Sequence, residues 1–151
     1  MLLINGMTQL RKAYWRRQRE SERAALRSGA AGASFPCAAE RFATKRLNLR
    51  PTEIWEDEID AMRGERRYEI RQRREGDRRA FERLDTAKFD ILVVCVWTIG
   101  EARGVVHLKF ECKLLTAQAI ARAGTAKLNA LLSAAPTRLS GKAMSLRRNH
   151  V

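Results

Sequence analysis

Asp60 and Glu69 stand on either side of a short polar turn, Gly64-Glu65, in a segment that has the pattern of a β-hairpin. If this turn forms, Asp60 lies directly opposite Glu69. Directly opposed side chains share one face of a sheet, with Cβ atoms about 5 Å apart. Arg71 follows Glu69 at the strand period of two and lies on the same face. A pair of carboxylates and a cation on one patch of sheet could hold a divalent metal beside a phosphate.

Opposed carboxylates repel each other unless a cation lies between them, and hard cations such as Mg²⁺ or Mn²⁺ take oxygen ligands. The backbone carbonyl of Ile70 would lie beside the same site. A metal held there can orient a water molecule and stabilise charge on a scissile phosphate. The alternative interpretation is a solvated hairpin face, on which Glu69 pairs with Arg67 or Arg71.

The overall charge indicates an anionic partner. The chain has 151 residues, enough for one domain with a core, and its 30 Lys and Arg exceed its 17 Asp and Glu to give a net charge of +13. Such a charge repels itself in the folded state. Nucleic acid is the first candidate partner and an anionic membrane surface the second, while a merely solvated basic surface would also fit.

Cysteine usage and hydropathy indicate a cytoplasmic protein without a membrane partner. Cys37, Cys95 and Cys112 form neither a CxxC pair nor a Cys/His cluster, which argues against zinc and favours buried reduced thiols. The longest apolar run, at 91–97, is far shorter than the ~20 residues that span a bilayer. Residues 1–4 lack the basic leader of a signal peptide.

The chain divides into a basic helical arm with a flexible linker at 1–35, an α/β domain at 36–135 and a basic, frayed tail at 136–151. The arm's helix is predicted at about 7–28, with Thr8 as its N-cap. Its exposed cations include Arg16 and Arg17. These side chains could reach phosphates, or the helix could simply be solvated, with its glutamates neutralising part of the charge.

The central domain is predicted to be α/β, with a small mixed sheet of about four strands flanked by helices. The strongest single element is the strand at 88–97, whose β-branched residues are apolar on both faces, as in a buried central strand. The other predicted elements are a helix at 37–47, hairpin strands at 59–62 and 67–73, a loop with a short helix up to residue 83, a half-exposed strand at 105–112, and helices capped by Thr116 and Thr125.

The order of these segments resembles the PD-(D/E)xK, or restriction-endonuclease-like, nuclease fold, and within it a small bacterial subgroup. The matching pieces cover roughly half the chain and are Ala39-Glu40, Ile59-Asp60-Ala61, the run at 68–74 and the strand at 89–94. The resemblance implies a metal-dependent DNA endonuclease that uses Mg²⁺ or Mn²⁺. It implies that Asp60, Glu69 and the Ile70 carbonyl are metal ligands, that Glu40 is an outer-shell acid, and that the catalytic residues are Asp60, Glu69 and Arg71.

Arg71 stands where this family has a lysine, and Glu58 stands where its pattern has a glycine. Arginine has a pKa above ~12, so it can hold a phosphate but cannot exchange a proton with the attacking water. We therefore expect either an endonuclease or an inactive relative that still binds DNA rather than RNA. The alternatives are a non-catalytic nucleic-acid-binding protein and an interaction module for a protein partner, and the chain could also form a homodimer.

Positive charge is concentrated around the hairpin, where a phosphodiester would enter a nuclease site. The predicted nucleic-acid contacts there are Arg63, Arg66, Arg67, Arg73, Arg74, Arg78 and Arg79. A second acidic set, Glu111 and Lys113 with Asp90 upstream, has the literal E-x-K spacing. It ranks lower because alternation predicts an ordinary polar strand face for Glu111 and Lys113.

Overall fold

The computed structural model describes residues 2–29, 32–52 and 59–148, with side chains from residue 12 onward. Within these ranges the protein is α/β, with four helices and a six-stranded mixed sheet that curls into a half-barrel. The helices are α1 (Leu2–Ser28), α2 (Pro36–Leu47), α3 (Ala117–Ala123) and α4 (Leu128–Ala134). The strands are β1 (Arg50–Pro51), β2 (Ala61–Arg63), β3 (Arg66–Arg74), β4 (Ile91–Ala102), β5 (Val105–Thr116) and β6 (Leu139–Arg147).

The described strands lie side by side in chain order, β1 to β6. Every neighbouring pair is antiparallel except β3 and β4, which are parallel. A parallel pair requires a crossover, and residues 75–90 make it with turns, bends and irregular segments but no helix. The prediction of a short helix before residue 83 is therefore wrong. Side-chain bonds to β3, described below, hold this crossover loop instead.

The first half of β4 is buried on both faces, which confirms the prediction of a central buried strand at 88–97, although the strand itself runs from Ile91 to Ala102. Alternate residues of β4 enter two separate cores. Val93 and Trp97 pack with Phe35 and the helices α1 and α2 on one face. Leu92 and Val94 pack on the other face against α3, α4 and the crossover loop. The chain thus forms a three-layer arrangement, helices on sheet on helices.

The first helix is part of the domain rather than a separate arm. It begins at Leu2, so Thr8 lies inside the helix and is not its N-cap. Toward its C-terminal end, Leu26 is completely buried in the core beneath α2. No helix among the described residues combines the length and apolarity needed to cross a membrane.

Glu22 links α1 to α2. Its buried carboxylate accepts hydrogen bonds from the backbone N–H groups of Cys37 at 2.9 Å and Ala38 at 2.8 Å, and from Gln18 Nε2 at 2.9 Å. These backbone donors belong to the first turn of α2, where N–H groups have no partner inside the helix, and Pro36 occupies the opening position. Burial raises the pKa of Glu22 above its ordinary value, although the hydrogen bonds oppose this shift.

The C-terminal segment is a strand, not the predicted frayed tail. β6 pairs antiparallel with β5, from Val105 opposite Arg147 to Cys112 opposite Leu139. It covers an edge of β5 that would otherwise leave backbone groups unpaired. The segment was missed because its mixture of small, polar and basic residues carries a weak strand signal of its own.

The predictions for the cap at Thr116 and for the cysteines are confirmed. The Thr116 hydroxyl accepts a hydrogen bond from the N–H of Ala119 at 3.1 Å and so caps α3. The cap predicted at Thr125 is wrong, because that residue opens a 3-10 turn without a side-chain cap. All three cysteines are free and buried, as expected, and burial raises the pKa of Cys37 to about 11.

The substitution Glu22→Gln tests the link between α1 and α2. Glutamine keeps the shape but replaces one acceptor oxygen with an amide group that faces a backbone N–H. We expect the free energy of unfolding to fall by about 1–3 kcal/mol in urea titrations. Glu20→Gln is the matched control because Glu20 is exposed on the same helix, and it should leave stability unchanged. Equal stability of the two variants would contradict the assignment.

Candidate functional site

The hairpin has the register that the sequence predicted. Ala61 lies opposite Tyr68, and Gly64 adopts a positive φ of +61° in the turn between β2 and β3. Ala61 and Tyr68 are buried on the face covered by α1 and α2. Because side chains alternate along a strand, Glu69 and Arg71 project from the opposite face, toward the crossover loop.

Asp60 lies just before β2 and, by extension of this register, across from Glu69. Its Oδ2 accepts a hydrogen bond from the backbone N–H of Ile70 at 2.7 Å. If β2 extended to residue 59, the Ile70 N–H would bond the carbonyl of Ile59. That carbonyl accepts instead from the Thr52 hydroxyl. The N–H and C=O of one strand residue point toward the same neighbouring strand, so the Ile70 carbonyl also lies on the Asp60 side.

Arg71 is held by three acceptors. Its Nε donates to Glu69 Oε1 at 2.8 Å, Nη1 donates to the carbonyl of Glu82 at 2.9 Å, and Nη2 donates to the carbonyl of Arg83 at 3.3 Å. The guanidinium therefore connects β3 to the crossover loop. This arrangement agrees with the solvated-face interpretation in one respect, because Glu69 is paired with a neighbouring arginine.

The candidate metal ligands are only partly brought together. Within the described residues, no group of three or more His, Cys, Asp or Glu side chains could hold a metal ion. Both carboxylates are already engaged, since Asp60 accepts from the Ile70 N–H and Glu69 accepts from Arg71. Glu40 belongs to α2, which packs on the opposite face of the sheet from Glu69, so it is not placed as an outer-shell acid for that side chain.

The second acidic set is not brought together either. Glu111 lies opposite Val96, six residues along β4 from Asp90, which corresponds to about 20 Å. Glu111 is exposed, as predicted for a polar strand face, and Lys113 Nζ donates to the carbonyl of Leu132 at 2.6 Å.

Some of the predicted nucleic-acid contacts hold the fold instead. Arg67 donates to both carboxylate oxygens of Asp90 at 3.3 Å, and its backbone N–H donates to the same carboxylate at 2.8 Å. Hydrogen bonds from Arg67 lower the pKa of Asp90. This pair joins the start of β3 to the start of β4. Arg79 is largely exposed and pairs with its near neighbour Asp77, at 2.8 Å, and this hydrogen bond lowers the pKa of Asp77.

Arg73 is the most enclosed of the cluster. Its Nη1 donates to the carbonyl of Asp77 at 2.7 Å and to Asn129 Oδ1 at 2.8 Å. Its guanidinium carbon lies 3.9 Å from the centre of the Phe81 ring. Burial lowers its pKa. These contacts join β3, the crossover loop and α4, so the residue has a structural role.

The remaining predicted contacts are accessible to a ligand, although the guanidinium carbon of Arg74 lies 5.8 Å from the centre of the Trp97 ring. They are exposed, and none has an ion pair with another residue in the described ranges. They are Arg63 and Arg66 at the tip of the β2–β3 hairpin, Arg74 and Arg78 at the other end of β3, and Arg16 and Arg17 on α1.

Sequence reasoning missed one further basic region, a groove of about 640 Å³ between α1, α2 and β6. Its cations are Arg19, Arg23, Arg41, Lys45, Arg46 and Lys142. The sequence does contain a signal for this region. Arg19 and Arg23, and likewise Arg41 and Lys45, are spaced by four residues, so each pair lies on one face of its helix. The sequence could not show that α1, α2 and β6 lie together.

Comparison with known proteins adds no constraint: no family model, no curated protein and no solved structure matches this chain.

The role of Arg71 can be tested with Arg71→Lys. Lysine keeps the charge but cannot reach Glu69 and two loop carbonyls together, so the free energy of unfolding should fall by about 1–2 kcal/mol. Hydrogen exchange should become faster in residues 77–89. The exposed Arg66→Lys serves as control and should change neither quantity. Unchanged exchange in the loop of Arg71→Lys would contradict this role.

The pair of Arg67 and Asp90 predicts a pH dependence. Because the pKa of Asp90 is lowered in the folded state, its stabilisation is complete above the ordinary value of 3.8 and is lost as pH falls through the lowered pKa. Asp90→Asn should therefore be less stable than wild type at pH 7, by under about 1 kcal/mol for a partly exposed pair. The difference should shrink below pH 3.8. If the difference in stability between wild type and Asp90→Asn persisted in acid, this role of the pair would be refuted. The exposed Glu65→Gln serves as the control and should not change stability at either pH.

Proposed function

We propose that this protein binds nucleic acid through its basic surface and does not cut it. The observation that carries the proposal is the division of the cations between structural and exposed positions. Arg67, Arg71 and Arg73 are bonded within the fold. By contrast, the cations of the groove between α1, α2 and β6, together with Arg63 and Arg66 at the hairpin tip, are exposed without an ion pair in the described ranges.

Phosphate is the anion that best fits such a surface. Guanidinium groups present planar donors that match phosphate oxygens, and contacts to the sugar-phosphate backbone position a protein without reading sequence. A net charge of +13 distributed over several elements supports many such contacts. The preference for DNA over RNA rests on the resemblance alone. The restriction-endonuclease-like form of the fold and a cytoplasmic location are likewise part of the proposal.

A second candidate is metal-dependent hydrolysis of phosphodiester bonds. The observation that favours it is the bond of 2.7 Å between Asp60 Oδ2 and the Ile70 N–H, which places this acid beside the Ile70 carbonyl. With Glu69, they would be the residues that hold Mg²⁺ or Mn²⁺, and the metal would supply an activated water. The fit is partial, because Asp60 and Glu69 already accept hydrogen bonds from the Ile70 N–H and Arg71, and Arg71 is directed to loop carbonyls.

Binding can be tested by fluorescence anisotropy with a labelled 20-base-pair duplex of arbitrary sequence over a range of salt concentrations. We expect log K to fall linearly with log salt, with a slope of about −0.9 for each phosphate contacted. Unrelated duplex sequences should bind alike. Absence of binding at low salt, or equal affinity for poly-glutamate of matched charge, would overturn the proposal in favour of a solvated surface or an acidic protein partner.

The same preparation separates the two candidates when it is incubated with supercoiled plasmid and Mg²⁺ or Mn²⁺. Under the proposal, the plasmid stays intact. Metal-dependent nicking that disappears in both Asp60→Asn and Glu69→Gln would establish the second candidate instead. Nicking that survives both substitutions would indicate a contaminating nuclease.

A further inference from the structure

The groove between α1, α2 and β6 collects positive charge from three elements that are distant in sequence. Arg19 and Arg23 come from α1, Lys142 from β6, and the others from α2. All of these cations are exposed, and none has an ion pair with another residue that the structure describes. Their repulsion is a cost that a bound polyanion would remove.

Among the described residues that line this groove, Glu22 is the only acid, and it does not neutralise the cations directly. Its carboxylate is buried, with a residue exposure of 1%, and is bonded to the N–H groups of Cys37 and Ala38 and to Gln18. The negative charge therefore lies beneath the groove, directed at the first turn of α2. The cations above it remain available to a ligand.

Arg46 is positioned before any ligand arrives. Its guanidinium carbon lies 4.8 Å from the centre of the Phe42 ring, and Nη1 donates to the carbonyl of Ser140 at 3.4 Å. Gly141 leaves room for it, because a Cβ there would lie 2.6 Å from Arg46 Nη2. A cation already held across the groove loses less side-chain entropy when it binds an anion.

We propose that this groove receives the sugar-phosphate backbone of the nucleic acid, an inference that rests on the function proposed above and assigns it a site. A groove of about 640 Å³ has the size of a pocket for one small ligand, so it would take a short stretch of one strand. Its concave shape does not suit a flat lipid surface. The ligand is recognised through phosphate charge, without base contacts.

The test compares two double variants that remove the same charge from exposed positions. Arg41→Gln with Lys45→Gln changes the groove, and Arg63→Gln with Arg66→Gln changes the hairpin tip. In the duplex titration, the groove variant should lose about two units of salt slope and bind about tenfold more weakly at 0.15 M salt. The hairpin variant should show a clearly smaller loss. Urea titrations should confirm equal stability.

The outcomes separate the site from the function. If wild type binds DNA and the groove variant binds equally well, or no worse than the hairpin variant, the groove is not the site and nucleic-acid binding stands. If wild type does not bind DNA, the proposed function fails and this inference fails with it. Stronger wild-type binding to vesicles rich in phosphatidylserine than to DNA, lost in the groove variant, would replace the nucleic acid with a membrane.

Discussion

One buried carboxylate determines how the basic half of this molecule is assembled. α1 and α2 both carry many cations, so bringing them together is electrostatically unfavourable. Glu22 lies between them and accepts the unpartnered N–H groups of α2. Desolvation of this carboxylate is costly and raises its pKa, but charge-assisted hydrogen bonds and the positive end of the helix dipole offset the cost. By joining α1 to α2, this contact holds together two of the three elements that line the groove.

On the other face of the sheet, carboxylates again accept hydrogen bonds that hold elements of the fold together. Asp60 completes the ladder of β3, Asp90 joins β3 to β4 through Arg67, and Glu69 orients Arg71. Each of these carboxylates therefore bonds a backbone N–H or an arginine that belongs to the fold. In a chain with 30 cations and 17 acids, acids that pair with arginines one for one leave the excess positive charge on the remaining cations. The architecture itself thus produces a surface suited to a polyanion.

Local sequence patterns predicted local structure, but they could not predict contacts between segments that are distant in the chain. The turn chemistry at Gly64 fixed the hairpin register, and the apolar run of β4 identified the central strand. β6 was missed because a strand with Gly141 in its interior is stabilised by pairing with β5 rather than by its own propensity. The role of Glu22 was equally hidden, since its partners lie fifteen and sixteen residues away. For the candidate site, spacing predicted that Asp60 and Glu69 would be neighbours but not which hydrogen bonds each would accept.

Arg71, which stands where the resemblance suggested from the sequence would require a lysine, has a structural role that does not require catalysis. A crossover between parallel strands is usually covered by a helix, but residues 75–90 form none. Arg71 compensates, because its planar guanidinium can bond Glu69 and the carbonyls of Glu82 and Arg83 at once, and a lysine ammonium on a flexible stem holds such a set poorly. A side chain that fixes the crossover loop cannot at the same time follow a reacting phosphate. For this reason we propose that the contacts with nucleic acid lie on the opposite face of the sheet, where the exposed cations of the groove have no ion pair among the described residues.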